Sequence, residues 1–424
     1  MIKQFILTFP FLFILLMGGI SQGVAEEKVK LSLKTLIDEA LKKNPILLTK
    51  INQVNSEKER IPQAATLPDP MLKLGLVNLP ESFDFNDQAM TQKQIALSQK
   101  FPFPGKLKLR KEIARYKSKQ SEAEFTYQQL EIIDKVKRTY FSLFFIDKSI
   151  EITEKNKTIL ENFLEIARTK YAVGKGLQQD VLKAEVELSR MLEKLLILKQ
   201  QNATLTAKMN TLLNRDISTP LEGRPEVSQT PFTLDPEEIK KSSLEDHPLL
   251  QRIQFVLEKA EYDHNLAIRE YYPDFEISFA YGQREDNPSQ NRPDFYSGFV
   301  GINIPIWYKT KQNRKVEETK YTIISAEARY EDTKNNLYFR IANLLAETDQ
   351  NSHLIDLYQN GIIPQATHTL DSSMASYQVG TIDFLTLLTN LITLYRYELE
   401  YYKVLSDYEK NLADLELSLG KRLF

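Results

Sequence analysis

The hydrophobic positions of this chain repeat with two different periods. Over residues 33–63 apolar side chains recur every three to four positions, which is typical of an amphipathic helix, and Pro45 is expected to start its second part. Over residues 71–79 and 92–101 apolar side chains alternate with polar or small ones, which predicts two strands. The same order returns later, with strands predicted over 274–283 and 295–306. The pattern therefore predicts a mainly α chain with a small β part.

Long helices fill most of the remaining sequence. Residues 107–169 contain neither proline nor glycine, and a helix of that length would be roughly 95 Å long at about 1.5 Å per residue. The run over 178–213 carries apolar residues in a heptad repeat that only Asn202 interrupts, which predicts a coiled coil. A comparable run in the second half covers 309–359, and a glycine and a proline just after it are expected to break or kink the helix.

A short motif separates the two long helices of each half. It is Tyr-Ala-Val-Gly at 171–174 and Tyr-Gln-Val-Gly at 377–380, about 200 residues later. Each copy places one glycine between two helix-period runs, which predicts the tight turn of a helical hairpin, with tips at 171–176 and 377–382. A chance match in a helix-rich chain is the alternative.

Flanking landmarks repeat as well, which argues against chance. Pro68-Asp69 corresponds to Pro273-Asp274, and Pro102 corresponds to Pro305, at nearly the same spacing as the glycine motifs. The chain is therefore predicted to be a tandem duplication of one unit. Its predicted parts are a signal peptide over 1–25, a first repeat over 26–213, a linker over 214–235 and a second repeat over 236–424.

The signal peptide is predicted from three features of the N-terminus. Lys3 supplies a positive charge, the following run is almost wholly apolar, and residues 23–25 are small enough for cleavage. An uncleaved membrane anchor is the alternative, and the small residues followed by Glu26 and Glu27 favour cleavage. No later run approaches the roughly 18 uncharged apolar residues that a membrane-spanning helix requires.

The predicted strands have one apolar face and one polar or small face, and four strands cannot close a barrel. Their lengths are close to the about 9–11 residues with which a tilted strand crosses a bilayer, where open sheet edges would leave backbone groups unpaired. We therefore expect closure by other subunits in cyclic symmetry, and three chains would supply twelve strands. A soluble sheet that caps a helical bundle is the alternative, which the signal peptide and the apolar faces disfavour.

Composition excludes several classes of protein and site. The 424 residues carry a formal net charge of −2 without a dense Lys/Arg block, so no nucleic-acid surface is expected. The absence of cysteine excludes disulfides, thiolate metal sites and lipid attachment through cysteine. The four histidines lack metal-binding spacing, and neither a phosphate-binding loop nor a nucleophile elbow is present. We therefore expect no enzyme activity, no cofactor and no metal site.

The order of helix, strand pair and long helical hairpin, repeated once with Tyr-x-x-Gly tips, resembles the TolC family of outer-membrane efflux ducts. The resemblance covers about residues 31–420. Two short motifs, Pro68-Asp69-Pro70 and the run Gln-Lys-Phe-Pro-Phe-Pro-Gly-Lys-Leu at 99–107, are most similar to one branch of that family. This branch serves heavy-metal-cation pumps of the resistance-nodulation-division (RND) type.

The resemblance implies a homotrimer whose twelve strands form an outer-membrane β-barrel and whose helices form a periplasmic α-helical barrel. Such a duct is the passive exit of a tripartite efflux system, for metal cations or small toxic compounds. An inner-membrane RND-type pump supplies the energy, and a periplasmic adaptor (membrane fusion) protein docks on the hairpin tips. The family's tip motif matches four residues, Val173, Gly174, Val379 and Gly380.

The family's gate maps onto five positions, Asp180, Tyr377, Ile382, Thr386 and Thr389. Asp180 and Tyr377 match positions whose hydrogen bond helps to hold the closed tip, with a buried core aromatic as an equal alternative for Tyr377. Many relatives carry acidic residues at the positions of Thr386 and Thr389, and often a basic residue at that of Ile382. Neither a carboxylate ring nor the usual salt-linked lock is therefore expected here.

Two other interpretations stay open at this point. One is a non-pore periplasmic coiled-coil scaffold or adhesin, and the other is a secreted enzyme, for which the sequence offers no catalytic constellation. Dependence on detergent after purification would separate an outer-membrane duct from both.

Overall fold

A computed structural model of the protein describes residues 31–232, 244–287 and 290–423. The predicted signal peptide, the end of the predicted linker and the predicted start of the second repeat at residue 236 lie outside these ranges. The first half contains α1 (Leu33–Lys43), α2 (Pro45–Ala65), β1 (Met71–Val77), β2 (Gln92–Phe101), α3 (Lys106–Ala172) and α4 (Gln178–Leu213). The second half contains α5 (Pro248–Arg269), β3 (Phe275–Gln283), β4 (Phe295–Ile302), α6 (Gln312–Asp356), α7 (Ile363–Val379) and α8 (Phe384–Leu419).

The helix that leads into each strand pair starts in the same way in both halves. Asn44 precedes Pro45 and caps α2, because its side-chain oxygen accepts a hydrogen bond from the Ile46 amide at 2.9 Å. His247 precedes Pro248 and caps α5, because its Nδ1 accepts from the Leu249 amide at 3.1 Å. His247 is buried, and this burial lowers the pKa of its imidazole.

The longest helix, α3, has 67 residues, which corresponds to about 100 Å at about 1.5 Å per residue. It contacts α2 and α4 from the first half and α5 and α8 from the second half, so both halves share it as a common wall. Phe144 of α3 and Tyr408 of α8 are fully buried in one of these contacts. In α4 the predicted seam faces the core at Ala184, Met191 and Leu198, while Asn202 donates to Asp147 of α3 at 2.6 Å.

The helix of the second hairpin changes pitch without stopping. α6 passes through one π-helical segment, Leu357–Ile362, directly into α7. Pro364 has no amide hydrogen for the carbonyl four residues before it, and Gly361 lies in the same turn. The wider turn accommodates that missing hydrogen bond. The glycine and proline predicted to break or kink the helix therefore coincide with a local change of pitch.

The four strands form one antiparallel sheet in the order β1-β2-β3-β4. Pairing of β2 with β3 joins the two halves, and β1 and β4 are the two edges. β4 ends at Ile302, four residues before the predicted end. Pro305 cannot donate to a neighbouring strand, and Asn303, which lies opposite Asp274, accepts from the Asp274 amide through its side-chain oxygen.

Candidate functional site

One face of the sheet is apolar and exposed across all four strands. The register places Leu72, Leu97 and Phe279 side by side, and places Leu74 beside Ile95. Leu74 is 71% exposed and Phe279 is 56% exposed, as is typical of the whole face. Other large exposed members are Leu76, Phe275, Ile277, Tyr296, Val300 and Ile302. A continuous bare apolar face of this kind marks a surface that another apolar phase or partner covers.

The opposite face is mostly small or polar, with Met71 and Phe299 as exposed exceptions, and its central positions are the better covered of the two faces. Ser98 and Ala280 are 7% and 3% exposed, whereas the preceding residues Leu97 and Phe279 are 52% and 56% exposed. Lys73, Gln94 and other polar or small residues continue this face. Soluble sheets bury their apolar face, so this arrangement is inverted, as in a strand with lipid outside and water inside.

The two hairpin tips have the same backbone geometry. Gly174 and Gly380 follow α3 and α7 in the left-handed region, at φ +73° and +82°. The amide of the residue after each glycine donates to the carbonyl five positions earlier, Lys175 to Lys170 at 2.9 Å and Thr381 to Ser376 at 3.0 Å. This is the Schellman ending, which glycine permits because it has no Cβ.

The two hairpins share one apolar core behind the tips. Tyr377 and Phe384 are buried at its centre, with ring centroids 5.7 Å apart in an edge-to-face arrangement. Ile382 packs against this core from the turn between α7 and α8. Its other buried members are Leu160, Phe163, Leu164, Ala167, Ala184, Met191, Leu370, Leu387, Leu388, Leu391 and Leu394. Ile382, where relatives often carry a basic residue, is thus an apolar contact.

Tyr377 is a buried core aromatic with Asp180 and Lys170 nearby. Within the described chain no hydrogen bond joins its hydroxyl to Asp180, and the half-buried Asp180 acts on it only as a nearby charge. Burial, followed by that charge, raises the pKa of the Tyr377 hydroxyl. Lys170 of α3 makes the close contact instead. Its ammonium lies 4.1 Å from the Tyr377 ring centroid and donates to the Tyr377 carbonyl.

Thr386 and Thr389 lie on the exposed side of the first turns of α8. Their neighbour Asp383, which the sequence analysis did not include, caps α8 by accepting from the Thr386 amide at 2.8 Å. An aspartate just before a helix is a readable capping signal, whereas the Lys170 contact joins distant parts of the chain and has no local signal. The tip therefore carries one exposed carboxylate per chain on the second hairpin, tied to a helix N-terminus.

Each tip exposes apolar side chains at its end. Val173 and Val379 are 63% and 76% exposed, and Tyr171 and Leu177 are also exposed beside the first tip. The four predicted docking residues, Val173, Gly174, Val379 and Gly380, thus lie at the outermost turns of two adjacent hairpins.

Ligand chemistry is sparse in the part of the chain that the structure describes. Over residues 31–232, 244–287 and 290–423, no three His, Asp or Glu side chains are grouped so that they could hold a metal ion. Among the same residues, no helix combines the length and the apolar character that crossing a membrane requires.

Comparisons with known proteins identify the arrangement. The chain matches the sequence model described as "Outer membrane efflux protein" over residues 36–215 and 240–421. No curated protein matches the chain.

Several solved structures share its fold at low sequence identity. CusC has a TM-score of 0.80 at 17% identity, covering 93% of each chain. VceC from Vibrio cholerae has a TM-score of 0.77 at 17% identity, and the match covers 92% of this chain and 96% of the VceC chain. CmeC from Campylobacter jejuni has a TM-score of 0.79 at 15% identity, and the match covers 92% of this chain and 85% of the CmeC chain.

Proposed function

This chain belongs to the outer membrane efflux protein family, and from that premise we propose how its surfaces build and operate a duct. It is an outer-membrane channel protein with a periplasmic extension, and it is the exit duct of a tripartite efflux system. The predicted resemblance to the TolC family is confirmed at the level of the family. The assembly, the docking surface, the gate and the substrate class are the proposal.

Three chains close one barrel. The observation that carries this step is the sheet, which is apolar on its bare face, small or polar on its covered face, and open at β1 and β4. In lipid both edges require partners, because unpaired backbone groups cost several kcal/mol each in hydrocarbon. Three copies in cyclic symmetry supply twelve strands with lipid outside and a polar lumen inside. A periplasmic scaffold without a pore would have no use for this bare apolar face.

The helices extend the duct into the periplasm. α3 alone reaches about 100 Å, and its contacts with helices of both repeats make one continuous wall segment per chain. The exposed Val173 and Val379 at the hairpin tips are the docking surface for a periplasmic adaptor. The inner-membrane pump that the adaptor recruits supplies the energy, so the duct itself needs no catalytic group.

The gate is the tip core. Lys170 holds the end of α7 against α3, and Tyr377 fills the space between the hairpins. Asp180 contributes a charge near Tyr377, while Ile382 packs against the core, and the exposed Thr386 and Thr389 replace the acidic positions of many relatives. The motifs at 68–70 and 99–107 favour an RND-type pump for metal cations, with small toxic compounds as the alternative cargo.

The assembly is tested by native mass measurement of the protein purified in detergent. We expect a mass of three chains and precipitation when detergent is removed, because the bare strand face needs an apolar phase. A single-chain mass, or a monodisperse protein without detergent, would contradict the proposed duct and favour a soluble scaffold.

A further inference from the structure

Two landmarks of the duplication lie where the helices meet the sheet. In the first repeat, Lys106 follows Pro102 by four residues, and its side chain is only 4% exposed. Its ammonium donates to Asp274, the residue just before β3, at 2.7 Å and to the Tyr272 carbonyl at 3.0 Å. The Phe103 amide also donates to Asp274, at 2.8 Å. We call this contact the repeat junction, because it joins the end of β2 to the start of β3.

The second copy of the same surface has no partner inside the chain. Lys309 follows Pro305 by four residues, and Asp69 corresponds to Asp274. Both are exposed, and among the described residues neither makes an ion pair. The apolar residues beside them are exposed as well, with Ile306 at 65% and Trp307 at 71%. One copy of the junction is therefore assembled, and the two halves of the other copy are bare on opposite edges of the sheet.

The landmarks also predict strand register. Met71 lies two residues after Asp69, so its counterpart is Glu276, which lies two residues after Asp274. Ser98 lies four residues before Pro102, so its counterpart is Gly301, which lies four residues before Pro305. Met71 pairs with Ser98, and Glu276 pairs with Gly301. The duplication thus reproduces the β3–β4 register from the β1–β2 register without adjustment.

The same shift can be applied to the β2–β3 pairing, which joins the repeats. Leu97 pairs with Phe279, and their counterparts are Val300 and Leu74. β4 and β1 lie at opposite edges of the sheet, so they cannot pair within one chain. We infer that β4 of one subunit pairs with β1 of the next in one fixed register, with Lys309 on Asp69 as a second repeat junction across the subunit boundary. This inference rests on the proposed duct and specifies its interface.

The register satisfies both faces of the sheet. Its pairs are Ile302–Leu72, Gly301–Lys73, Val300–Leu74, Phe299–Gly75, Gly298–Leu76 and Ser297–Val77. Each pair joins two residues that belong to the same face of the sheet, whereas a slip of one residue would pair outward residues with inward ones.

Shape also fits. Phe299 is a bulky side chain on the small or polar face and is 63% exposed. Its partner would be Gly75, where an added Cβ meets nothing within 4 Å. The corresponding pair inside the chain is Ala96 with Ala280, two small residues. One large side chain beside a glycine is thus proposed to replace two small side chains. Ile306 and Leu67, the counterparts of the stacked Phe103 and Tyr272, are likewise both aliphatic.

Cysteine cross-linking tests the register, because the chain contains no cysteine of its own. The pairs Val300→Cys with Leu74→Cys and Gly301→Cys with Lys73→Cys sample the two alternating kinds of antiparallel pair. After oxidation of the trimer in detergent, we expect a covalent trimer on a denaturing gel and its loss on reduction. The control pairs shifted by two residues, Val300→Cys with Leu72→Cys or Leu76→Cys, should give at least fivefold less covalent trimer.

A charge exchange tests the junction separately. Asp69→Lys and Lys309→Asp should each lower the temperature at which the trimer dissociates, and the double exchange should restore most of the loss. Efficient cross-linking of the shifted pairs would overturn the register but not the duct. The same conclusion would follow if the native mass is three chains and no cysteine pair gives a covalent trimer. The junction would be overturned if neither single exchange lowers the dissociation temperature of the trimer. It would also be overturned if the double exchange lowers that temperature as much as the more harmful single exchange. A native mass of one chain would instead overturn the duct itself.

Discussion

At the scale of single residues, the tip depends on one cation at the edge of an apolar core. Lys170 interacts with both the ring and the carbonyl of Tyr377, and so links α3 to the end of α7. A charged donor makes a stronger hydrogen bond than a neutral one, and a partly desolvated ammonium over an aromatic ring contributes about 0.5–2 kcal/mol. The hydrogen bond between Asp180 and Tyr377 that the resemblance implies stays a prediction.

Lys170→Met should loosen the tip, because it keeps most of the apolar stem and removes the charge. We expect a higher single-channel conductance or a larger open fraction than in the wild type. Lys175→Met is the matched control, since Lys175 is exposed in the same turn. An equal response of the two variants would mean that the Lys170 contact does not hold the tip.

Thr386→Asp should create block by trivalent cations. Three carboxylates at one level of a narrow tunnel concentrate cations, whereas threonines do not. We expect weak block of the wild type from the periplasmic side and clear block of the variant, with Thr386→Asn as the uncharged control. Strong block of the wild type would point to Asp383 or another acidic ring at the mouth.

Asp134 provides a test of pH dependence in the helical part. Burial, and then the charge of Asp414, raises the pKa of its carboxyl to about 6, above its ordinary value of 3.8. Ionised Asp134 therefore destabilises the fold above about pH 6, and this penalty disappears below about pH 4.

Asp134→Asn should raise the melting temperature at pH 8, corresponding to a gain of up to about 3 kcal/mol. The gain should vanish at pH 3.5. Asp371→Asn, an exposed residue on α7, is the control and should show no gain. A gain that is the same at both pH values would contradict a charge effect.

At the scale of elements, the two hairpins end in the same turn and present one exposed valine each. Identical Schellman endings hold Val173 and Val379 outside the shared core, so their side chains contribute little to it. The tips can therefore be changed without changing the fold behind them.

Val173→Asp together with Val379→Asp should abolish adaptor binding and export, since a charge in an apolar contact must be desolvated. The trimer should stay intact by native mass. Ile217→Asp, at another exposed apolar site in the connection after α4, should leave export near the wild-type level. Full export by the double tip variant would place the docking surface elsewhere.

The elements themselves could largely be predicted from the sequence, because two hydrophobic periods and single glycines encode them locally. The inward and outward faces of the strands follow from alternation alone. The predicted extension of β4 to residue 306 was wrong because Pro305 and the side-chain hydrogen bond of Asn303 end the backbone pairing although the alternating pattern continues. The Lys170 contact could not be predicted from the sequence, because it joins α3 to α7 and depends on how the two hairpins pack.

At the scale of the whole molecule, the sheet and the helices differ in which side chains they expose. The sheet leaves its apolar side bare, while the helices bury most of their large apolar residues and leave others, such as Leu196 and Phe339, exposed. In the proposed assembly, lipid surrounds the sheet and further copies of the chain close it. The shared wall helix α3 joins the membrane end to the tips without interruption.

Single-channel recording tests this account most directly. The purified protein, with a native mass of three chains, is added to a planar lipid bilayer under a fixed voltage. The account predicts discrete, uniform current steps that persist in salts of different cations and anions, because the duct is a water-filled path. Trimers that insert into the bilayer without producing any steps, including trimers that carry Lys170→Met, would contradict it.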